Sequence, residues 1–273
     1  MKNLIKSGIL IFFFMIPGTL TFHSCKTVPI SGRKQVNLLP EGLLRDMSYS
    51  TYNDFLKNNK QANDTEAISM VKNVGYNISN AVIRYMTKNG YEDRIDNFKW
   101  EFNLIQDELV NAWAMPGGKV AVYTGILPVT ETPEGLAVVM AHEIAHVIAR
   151  HGNERMSQQL AVQLGGIALS VAIKEKPEKT RELFLAAYGV TTAVGVILPY
   201  SRKHETEADK LGLIFMAMAG YDPRIAVDFW KRMAKQGEGE KPPEILSTHP
   251  PYEKRIKNIE KYMNTALKYY KKN

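Results

Sequence analysis

The chain has 273 residues, of which 45% are hydrophobic, and a formal net charge of +7. This length and composition are sufficient for one domain of moderate size with a substantial apolar core. The sequence contains one cysteine, which excludes an intramolecular disulfide. Much of the positive charge lies in the segment Glu253–Asn273. It lacks the interleaved aromatic and basic residues of a nucleic-acid-binding surface, so no nucleic-acid partner is expected.

Residues 1–24 predict an export signal. Lys2 and Lys6 precede an apolar run of 16 residues, Ser7–Phe22, as in the basic and apolar regions of a secretory signal. A single transmembrane anchor is the alternative interpretation. It is less favoured because a bilayer span needs roughly 20 apolar residues, and Pro17 interrupts this run.

Cys25 follows the predicted signal directly. Its position resembles that of the lipidated cysteine in bacterial lipoprotein signals, although Phe22 and His23 depart from the usual residues. Plain secretion and a retained anchor are the alternatives. A lipid on Cys25 would attach an otherwise soluble protein to a membrane face. We therefore expect residues 25–40, which are rich in turn formers, to be a lipid-anchored tether ahead of a domain of residues 41–273.

The first part of that domain is expected to combine helices with a small sheet. Residues 41–88 have a helical pattern with breaks near Asn58–Asn63. The segment Phe98–Ile105 alternates apolar and polar residues, which predicts a strand. A Pro-Gly-Gly turn precedes a second predicted strand, Lys119–Gly125, which we expect to form a sheet edge that an extended peptide can join.

The next predicted helix carries the residues with the clearest chemistry. It begins with Thr132 as N-cap and is expected to end near Gly152. Within it, His142, Glu143 and His146 form the pattern H-E-x-x-H. Residues four apart lie on one helix face, so both imidazoles can bind one Zn²⁺, while the carboxylate lies beside the metal as a general base for the zinc-activated water.

The alternative is a core helix that happens to contain two histidines. A buried glutamate and two buried histidines would each need a polar partner there, and a metal site satisfies all three residues together. A catalytic zinc also needs a third protein ligand. Ala149 and Gly152 occupy the positions where a metzincin has its glycine and third histidine, so that ligand is expected further along the chain.

The segment "HETEAD" supplies the third ligand in our interpretation. Glu205 and Asp209 are four residues apart and share a helix face, and Glu207 points away from both. Glu205 can bind the metal, and Asp209 can accept the Nδ1–H of a ligating histidine. Taken alone, this pair would be typical of a solvated helix face; together with H-E-x-x-H it predicts a metal site.

Two further segments have apolar patterns. Residues 160–198 predict a helical hairpin, which we expect to pack on the core or to form a flap beside the active site; membrane insertion is the alternative, because each half is short for a span. The C-terminal basic segment predicts a helix whose apolar residues face inward. These apolar residues are Ile256, Ile259, Met263 and Leu267.

These motifs together resemble the membrane-associated gluzincin zinc metallopeptidases of the HtpX, BepA, Oma and CAAX-prenyl-protease type. The similarity includes "HEIAH", "SRKHETEAD", "NAWAMPGGKVAVYTGIL", "STHPPYEKRI" and "PISGRKQVNLL", and it extends from about Val28 to Ile259. The chain resembles a short, lipoprotein-like member without the C-terminal repeat domain of BepA-type proteins or the four long membrane helices of HtpX-type proteins.

The resemblance implies roles for individual residues. His142, His146 and Glu205 correspond to the zinc ligands, Glu143 to the general base and Asp209 to the residue that supports a ligand. It also places Asn111 and Ala112 near the substrate-binding edge, although either residue could be part of an ordinary sheet edge. In similar proteins a histidine at the position of His249 approaches the zinc, where it would assist the oxyanion or keep the enzyme latent. A surface-loop histidine is the alternative, and Arg202 and Arg255 are weaker candidates for transition-state or structural pairing.

The sequence thus predicts an α+β, mostly helical gluzincin-like domain with a small β-sheet beside the active-site helix. The predicted function is a zinc endopeptidase with one Zn²⁺ per chain, which cleaves unfolded or misassembled envelope proteins. The predicted location is the periplasm-facing bacterial envelope, with anchoring at the outer membrane favoured. A chaperone-like assembly factor with a mostly latent zinc site is the alternative function. A strict aminopeptidase is not favoured, because no motif indicates an acidic anchor for a substrate amine.

Overall fold

The structure, a computed structural model, describes residues 25–193, 197–237, 245, 249 and 252–271. The predicted export signal, residues 1–24, lies outside the described residues. Within the described residues, the fold is the mostly helical α+β class predicted from the sequence.

The segment predicted as a tether is folded against the rest of the protein. Strands β1 (Cys25–Thr27) and β2 (Lys34–Val36) form an antiparallel hairpin, and Val28 and Gln35 are buried. Immediately after it, Leu38 N–H donates to Ser157 Oγ at 2.8 Å. The segment that follows Cys25 therefore makes defined contacts with the domain.

Two helices and a three-stranded sheet come next. Helices α1 (Glu41–Asn58) and α2 (Thr65–Lys88) fall within the predicted helical region, and Asp64 caps α2 by accepting from two backbone N–H groups. The strands are β3 (Glu101–Ile105), β4 (Ala112–Met115) and β5 (Lys119–Tyr123).

The strand order corrects one expectation. The order is β3-β5-β4, with β3 parallel and β4 antiparallel to β5. The strand expected at the sheet edge, β5, is therefore central, and all five of its residues are buried. Gly117 and Gly118, with φ of 84° and 90°, turn the chain tightly between β4 and β5. Because this hairpin places β4 on the outside, β4 is the edge strand beside the site.

The central helix is α4 (Pro133–Ile148), which follows the short helix α3 (Leu127–Thr130). The predicted cap is present: Thr132 Oγ1 accepts from Gly135 N–H at 3.1 Å. Helix α4 ends four residues before the expected Gly152. Arg150 adopts a left-handed conformation, with φ of 58°, and α5 (His151–Ala172) begins after it. This break redirects the chain immediately after the H-E-x-x-H motif.

The remaining helices are α6 (Glu178–Thr192), α7 (Leu198–Met218), α8 (Ile225–Gly237) and α9 (Tyr252–Leu267). Helix α7 packs on α4, and α9 packs on both α7 and α8. As predicted, α9 directs apolar residues into the core, with Ile259 buried. The predicted site residues of α4 and α7 therefore lie on a tightly packed pair of helices.

The apolar hairpin is formed by the second half of α5 and by α6. Its large apolar side chains are exposed, and no described residue of α6 is buried. The exposed residues are Leu160, Leu164, Ile167, Val171, Leu183, Phe184, Leu185 and Val190. In the described part of the chain, no helix combines the length and the apolar character that a bilayer crossing requires.

Candidate metal centre and active site

Helices α4 and α7 bring three sequence-predicted ligands together. His142 and His146 lie one turn apart on α4, and their Nε2 atoms are 3.0 Å apart. Glu205 faces them from α7, with Oε2 3.3 Å from Nε2 of His142 and Oε1 3.4 Å from Nε2 of His146. Three ligating groups from two helices thus converge on one point.

His249 joins this group from the segment between α8 and α9. Its Nδ1 is 2.8 Å from Glu205 Oε2 and 3.4 Å from His142 Nε2. One potential ligating atom from each of His142, His146, Glu205 and His249 lies within 4.8 Å of the others. These four residues could hold a metal ion, and imidazole nitrogens with a carboxylate oxygen are suitable donors for a divalent cation.

The electrostatics of the cluster favour a positive charge where the ligating atoms meet. Although burial opposes it, electrostatic attraction and hydrogen bonds from the neighbouring histidines hold the pKa of Glu205 well below its usual range. Burial and Arg255 lower the pKa of His142, but Asp209 and Glu205 raise it to about 9. Burial holds the pKa of His146 well below its ordinary value, so its neutral imidazole is suited to bind a metal.

Glu143 is buried beside the cluster, as the motif predicts. Its Oε1 has no hydrogen-bond partner among the described residues. Nε2 of His249 lies 3.6 Å from this oxygen. A buried carboxylate oxygen without a donor is costly unless a substrate or solvent group pairs with it. This oxygen is therefore available to accept a proton at the site.

Asp209, the residue predicted to support a ligand, lies next to His142. It lies 3.1 Å from His142 Nδ1 and 2.5 Å from Nη2 of Arg255. The Arg255 guanidinium lies over the ring of Trp230, 3.6 Å from its centroid. Arg255 thus has the structural role considered from the sequence, whereas Arg202 is exposed. Because Arg255 balances its charge, Asp209 can remain buried and ionised next to a ligand.

A cavity of about 370 Å³ adjoins the cluster. Glu143, His146, Glu205 and His249 are among its lining residues, together with Asn111 and the three consecutive residues that begin at Ala112. Asn111 and Ala112 therefore lie at the start of edge strand β4 and border the same cavity as the predicted ligands.

The sequence analysis missed a second buried polar cluster on the far side of His146. His151, which begins α5, places its Nδ1 2.9 Å from His146 Nδ1 and its Nε2 2.9 Å from Glu207. Glu207 indeed points away from Glu205 and Asp209, but it is buried and paired. Ser31 and Arg33, from the β1–β2 turn, donate to the Glu207 carboxylate.

Arg33 also binds a second buried carboxylate of this cluster. Its Nη1 and Nη2 donate to Glu154 at 2.8 and 2.7 Å, and His204 lies 2.9 Å from the same carboxylate. The rings of His151 and His204 stack with centroids 4.3 Å apart. One feature of the sequence could have indicated this cluster: histidines and glutamates occur within or next to largely apolar helices.

Comparison with known proteins gives a family match and several relatives. Residues 76–263 match Peptidase family M48. The chain is 34% identical to the mitochondrial metalloendopeptidase OMA1 of Schizosaccharomyces pombe over 91% of its own length and 69% of that protein. It is 29% identical to the mitochondrial metalloendopeptidase OMA1 of Homo sapiens over 90% of its length and 47% of that protein.

A third relative is bacterial. The chain is 32% identical to the beta-barrel assembly-enhancing protease of Escherichia coli K12, over 58% of its length and 33% of that protein. The chain thus spans about half or less of two of these three relatives. The matches confirm the resemblance drawn from the sequence and the prediction of a metalloendopeptidase.

Proposed function

Since the chain belongs to peptidase family M48, we propose that it is a zinc-dependent endopeptidase that cleaves unfolded or misassembled envelope proteins. The convergence of His142, His146 and Glu205 beside the buried carboxylate of Glu143 is the observation that carries this proposal. Peptide bonds are the substrate class that follows from the family. The envelope substrates are proposed from the predicted export signal and from the name of the bacterial relatives.

In this proposal His142, His146 and Glu205 hold one Zn²⁺. Bound there, zinc would polarise the scissile carbonyl and lower the pKa of a water molecule. Asp209 keeps the hydrogen of His142 on Nδ1, so that Nε2 is free to bind the metal. Three protein ligands leave a coordination position open for catalysis.

Glu143 acts as the general base and then as the general acid. Its unpaired Oε1 accepts a proton from the attacking water and delivers it to the leaving amine. Burial beside the ligands keeps this carboxylate close to the reacting atoms. No other described carboxylate in the cluster has an unpartnered buried oxygen.

The substrate is proposed to bind as an extended strand along β4. This edge strand pairs with β5 on one side, and no other described strand pairs with its opposite side, which a peptide could therefore join. Asn111 and Ala112 lie at the start of this edge and line the cavity with Glu143. Because main-chain pairing depends little on side chains, this mode suits unfolded substrates of varied sequence.

His249 supports a second candidate function. It lies within the group of four potential ligands and 2.8 Å from Glu205. In this position it would complete the ligand set and hold the site latent, as in an assembly factor that rarely cleaves. Alternatively, in the active state its ring donates a hydrogen bond to the oxyanion.

We further propose a location for this activity. Residues 1–24 would act as the export signal, and a lipid on Cys25 would hold the protein at a periplasm-facing membrane, with the outer membrane favoured.

Residues 160–198 would serve as a flap beside the active site. The helices at the two ends of this hairpin, α5 and α7, both border the cavity, through Arg155 and Ser201.

The test uses the purified full chain. We expect about one zinc per chain and cleavage of casein, which Glu143→Gln lowers by at least about a hundredfold without loss of zinc. Glu134→Gln, on the same helix but outside the cluster, serves as the control and should leave cleavage unchanged. Full activity of the Glu143→Gln protein would refute the mechanism.

A cellular assay separates the two functions. If peptide cleavage is required, Glu143→Gln fails to complement a strain that lacks the gene. Normal complementation by this variant would instead support the latent assembly factor. His249→Ala should raise casein cleavage if His249 holds the site latent, and lower it if His249 assists the oxyanion.

A further inference from the structure

The second polar cluster contacts the proposed metal site where His151 meets His146. His146 points its Nε2 toward His142 and Glu205, and its Nδ1 is 2.9 Å from Nδ1 of His151. Two ring nitrogens at this distance share one hydrogen, because one must donate and the other must accept. His151 is therefore the partner that decides which nitrogen of His146 carries the hydrogen.

The contact between His151 and Glu207 determines which of the two histidines donates in the His146–His151 hydrogen bond. Nε2 of His151 lies 2.9 Å from Oε2 of Glu207, which accepts. The hydrogen of His151 is thus on Nε2, and its Nδ1 accepts the hydrogen of His146 Nδ1. This leaves Nε2 of His146 without a hydrogen and facing the metal-binding position.

The N-terminal hairpin fixes Glu207. Arg33 Nε donates to Oε2 at 2.8 Å, and Ser31 Oγ donates to Oε1. Arg33 uses its other two nitrogens on Glu154, at 2.8 and 2.7 Å. The guanidinium therefore spans two buried carboxylates on α5 and α7 and balances charge that would otherwise be costly to bury.

We propose that Arg33, Glu207 and His151 form a relay that positions His146 as a metal ligand, so that the segment following Cys25 is a structural part of the metal site. The relay rests on the proposed function and deepens it. It gives His146 the support that Asp209 gives His142, with one difference. Asp209 contacts its ligand directly from α7, whereas His146 is supported through three residues that end in the N-terminal β1–β2 turn.

These are positioning residues, since they act on the metal through His146. His151 also lines the cavity, but its two ring nitrogens contact His146 and Glu207. Replacing these residues should lower the affinity for the metal more than it lowers the stability of the fold. Partners of metal-ligating histidines typically contribute about tenfold to hundredfold to metal affinity. We expect a loss of this size for His151→Leu, which removes the acceptor for His146.

The experiment measures zinc affinity of the full chain by competition with a chelator, and the visible spectrum of the Co²⁺ form. His151→Leu should lower zinc affinity by about tenfold to hundredfold and alter the Co²⁺ bands. His151→Asn, which keeps an acceptor close to the same position, should recover most of this loss. Arg33→Gln, a partly exposed position, should weaken zinc binding in the same direction if His151→Leu does not fold.

Asn153→Ala is the matched control. Asn153 also links α5 to the N-terminal segment, by donating to Leu39 O at 2.8 Å, but it does not contact the relay. If Asn153→Ala weakens zinc binding as much as His151→Leu does, or if His151→Leu and Arg33→Gln both bind zinc normally, the relay is wrong. Absence of zinc binding by the unaltered chain would instead overturn the proposed function.

Discussion

At the scale of single residues, this protein buries an unusual number of charged groups, and most of them are paired. Glu205, Glu207 and Asp209 all lie on α7 within five residues, yet each has a different set of partners. Burial would raise the pKa of each carboxyl group, but cations and hydrogen-bond donors lower it. Each of these three carboxylates is therefore held by its own set of partners, which explains how one short stretch of helix supports both sides of the site.

Arg255 provides the first residue-scale prediction. Its replacement by Met removes the countercharge of Asp209, which is 4% exposed. Because a buried charge without its partner is strongly destabilising, we expect the free energy of unfolding to fall by about 3–5 kcal/mol. Urea denaturation of the purified chain measures this.

The control for Arg255 is Arg224→Met. Arg224 makes a similar short ion pair, to Asp222 at 2.6 Å, but at the surface. Solvent screens such a pair, so this replacement should leave the urea midpoint essentially unchanged. Equal destabilisation by the two replacements would show that the burial of Asp209 has no energetic consequence.

Glu154 provides a prediction of pH dependence. Burial would raise its pKa, but His204 and Arg33 lower it to about 2, from an ordinary value of 4.5. A depressed pKa means that the ionised carboxylate stabilises the folded chain above pH 4.5. This contribution is lost as the pH falls toward 2. The difference in urea midpoint between the metal-free chain and Glu154→Gln should therefore be constant above about pH 5 and shrink below it. A difference that grows on acidification would contradict the assignment.

At the scale of secondary-structure elements, the site depends on how closely α4 and α7 approach each other. Gly212 permits this approach: a Cβ at this position would lie 3.1 Å from both the backbone N and Cα of His142. The glycine therefore sets the distance between the helix that carries two proposed ligands and the helix that carries Glu205.

Gly212→Ala should push the two helices apart by a few tenths of an ångström. The gain in helix propensity of roughly 1 kcal/mol is outweighed by overpacking, which typically costs about 1–3 kcal/mol. We expect lower stability in urea and weaker zinc binding in the chelator competition. Gly189→Ala on α6, where a Cβ would meet no atom within 4 Å, should stabilise the chain instead. A stabilising effect of Gly212→Ala would show that α4 and α7 are not in tight contact at this position.

Local spacing explains which parts of the site could be predicted. His142 and His146, like Glu205 and Asp209, are four residues apart, and a helix places such pairs on one face whatever surrounds it. The cap at Thr132 and the helices within residues 41–88 are likewise determined by near neighbours. For this reason the sequence could indicate the proposed ligands, the proposed base and the carboxylate proposed to support them.

Long-range pairing explains what could not be predicted. Arg33 pairs with Glu154, which is 121 residues away in the sequence, and with Glu207, which is 174 residues away. No local pattern indicates these partners. The same applies to the sheet, where β5 pairs in parallel with β3 and displaces β4 to the edge. The break at Arg150 also requires a left-handed residue without glycine, so a helix ending near Gly152 was the natural expectation.

At the scale of the whole molecule, the apolar residues are divided unevenly. The core is centred on α4, whose Leu136 is 0% exposed, whereas Leu183 and Val190 on α6 are 71% and 66% exposed. Burial from water is the main source of hydrophobic stabilisation. The hairpin of α5 and α6 therefore contributes little of its apolar surface to folding, and apolar area of this extent is typical of an interaction surface.

This division predicts how the chain responds to substitution. Leu183→Ser and Val190→Ser should each change the free energy of unfolding by less than about 0.5 kcal/mol, because neither side chain leaves water on folding. Leu136→Ala should cost about 2–5 kcal/mol, since it opens a cavity in the core. Urea denaturation compares the three variants, and light scattering should show less self-association for the two serine variants because each removes exposed apolar surface. A loss of several kcal/mol for Leu183→Ser would mean that α6 packs onto the core in solution.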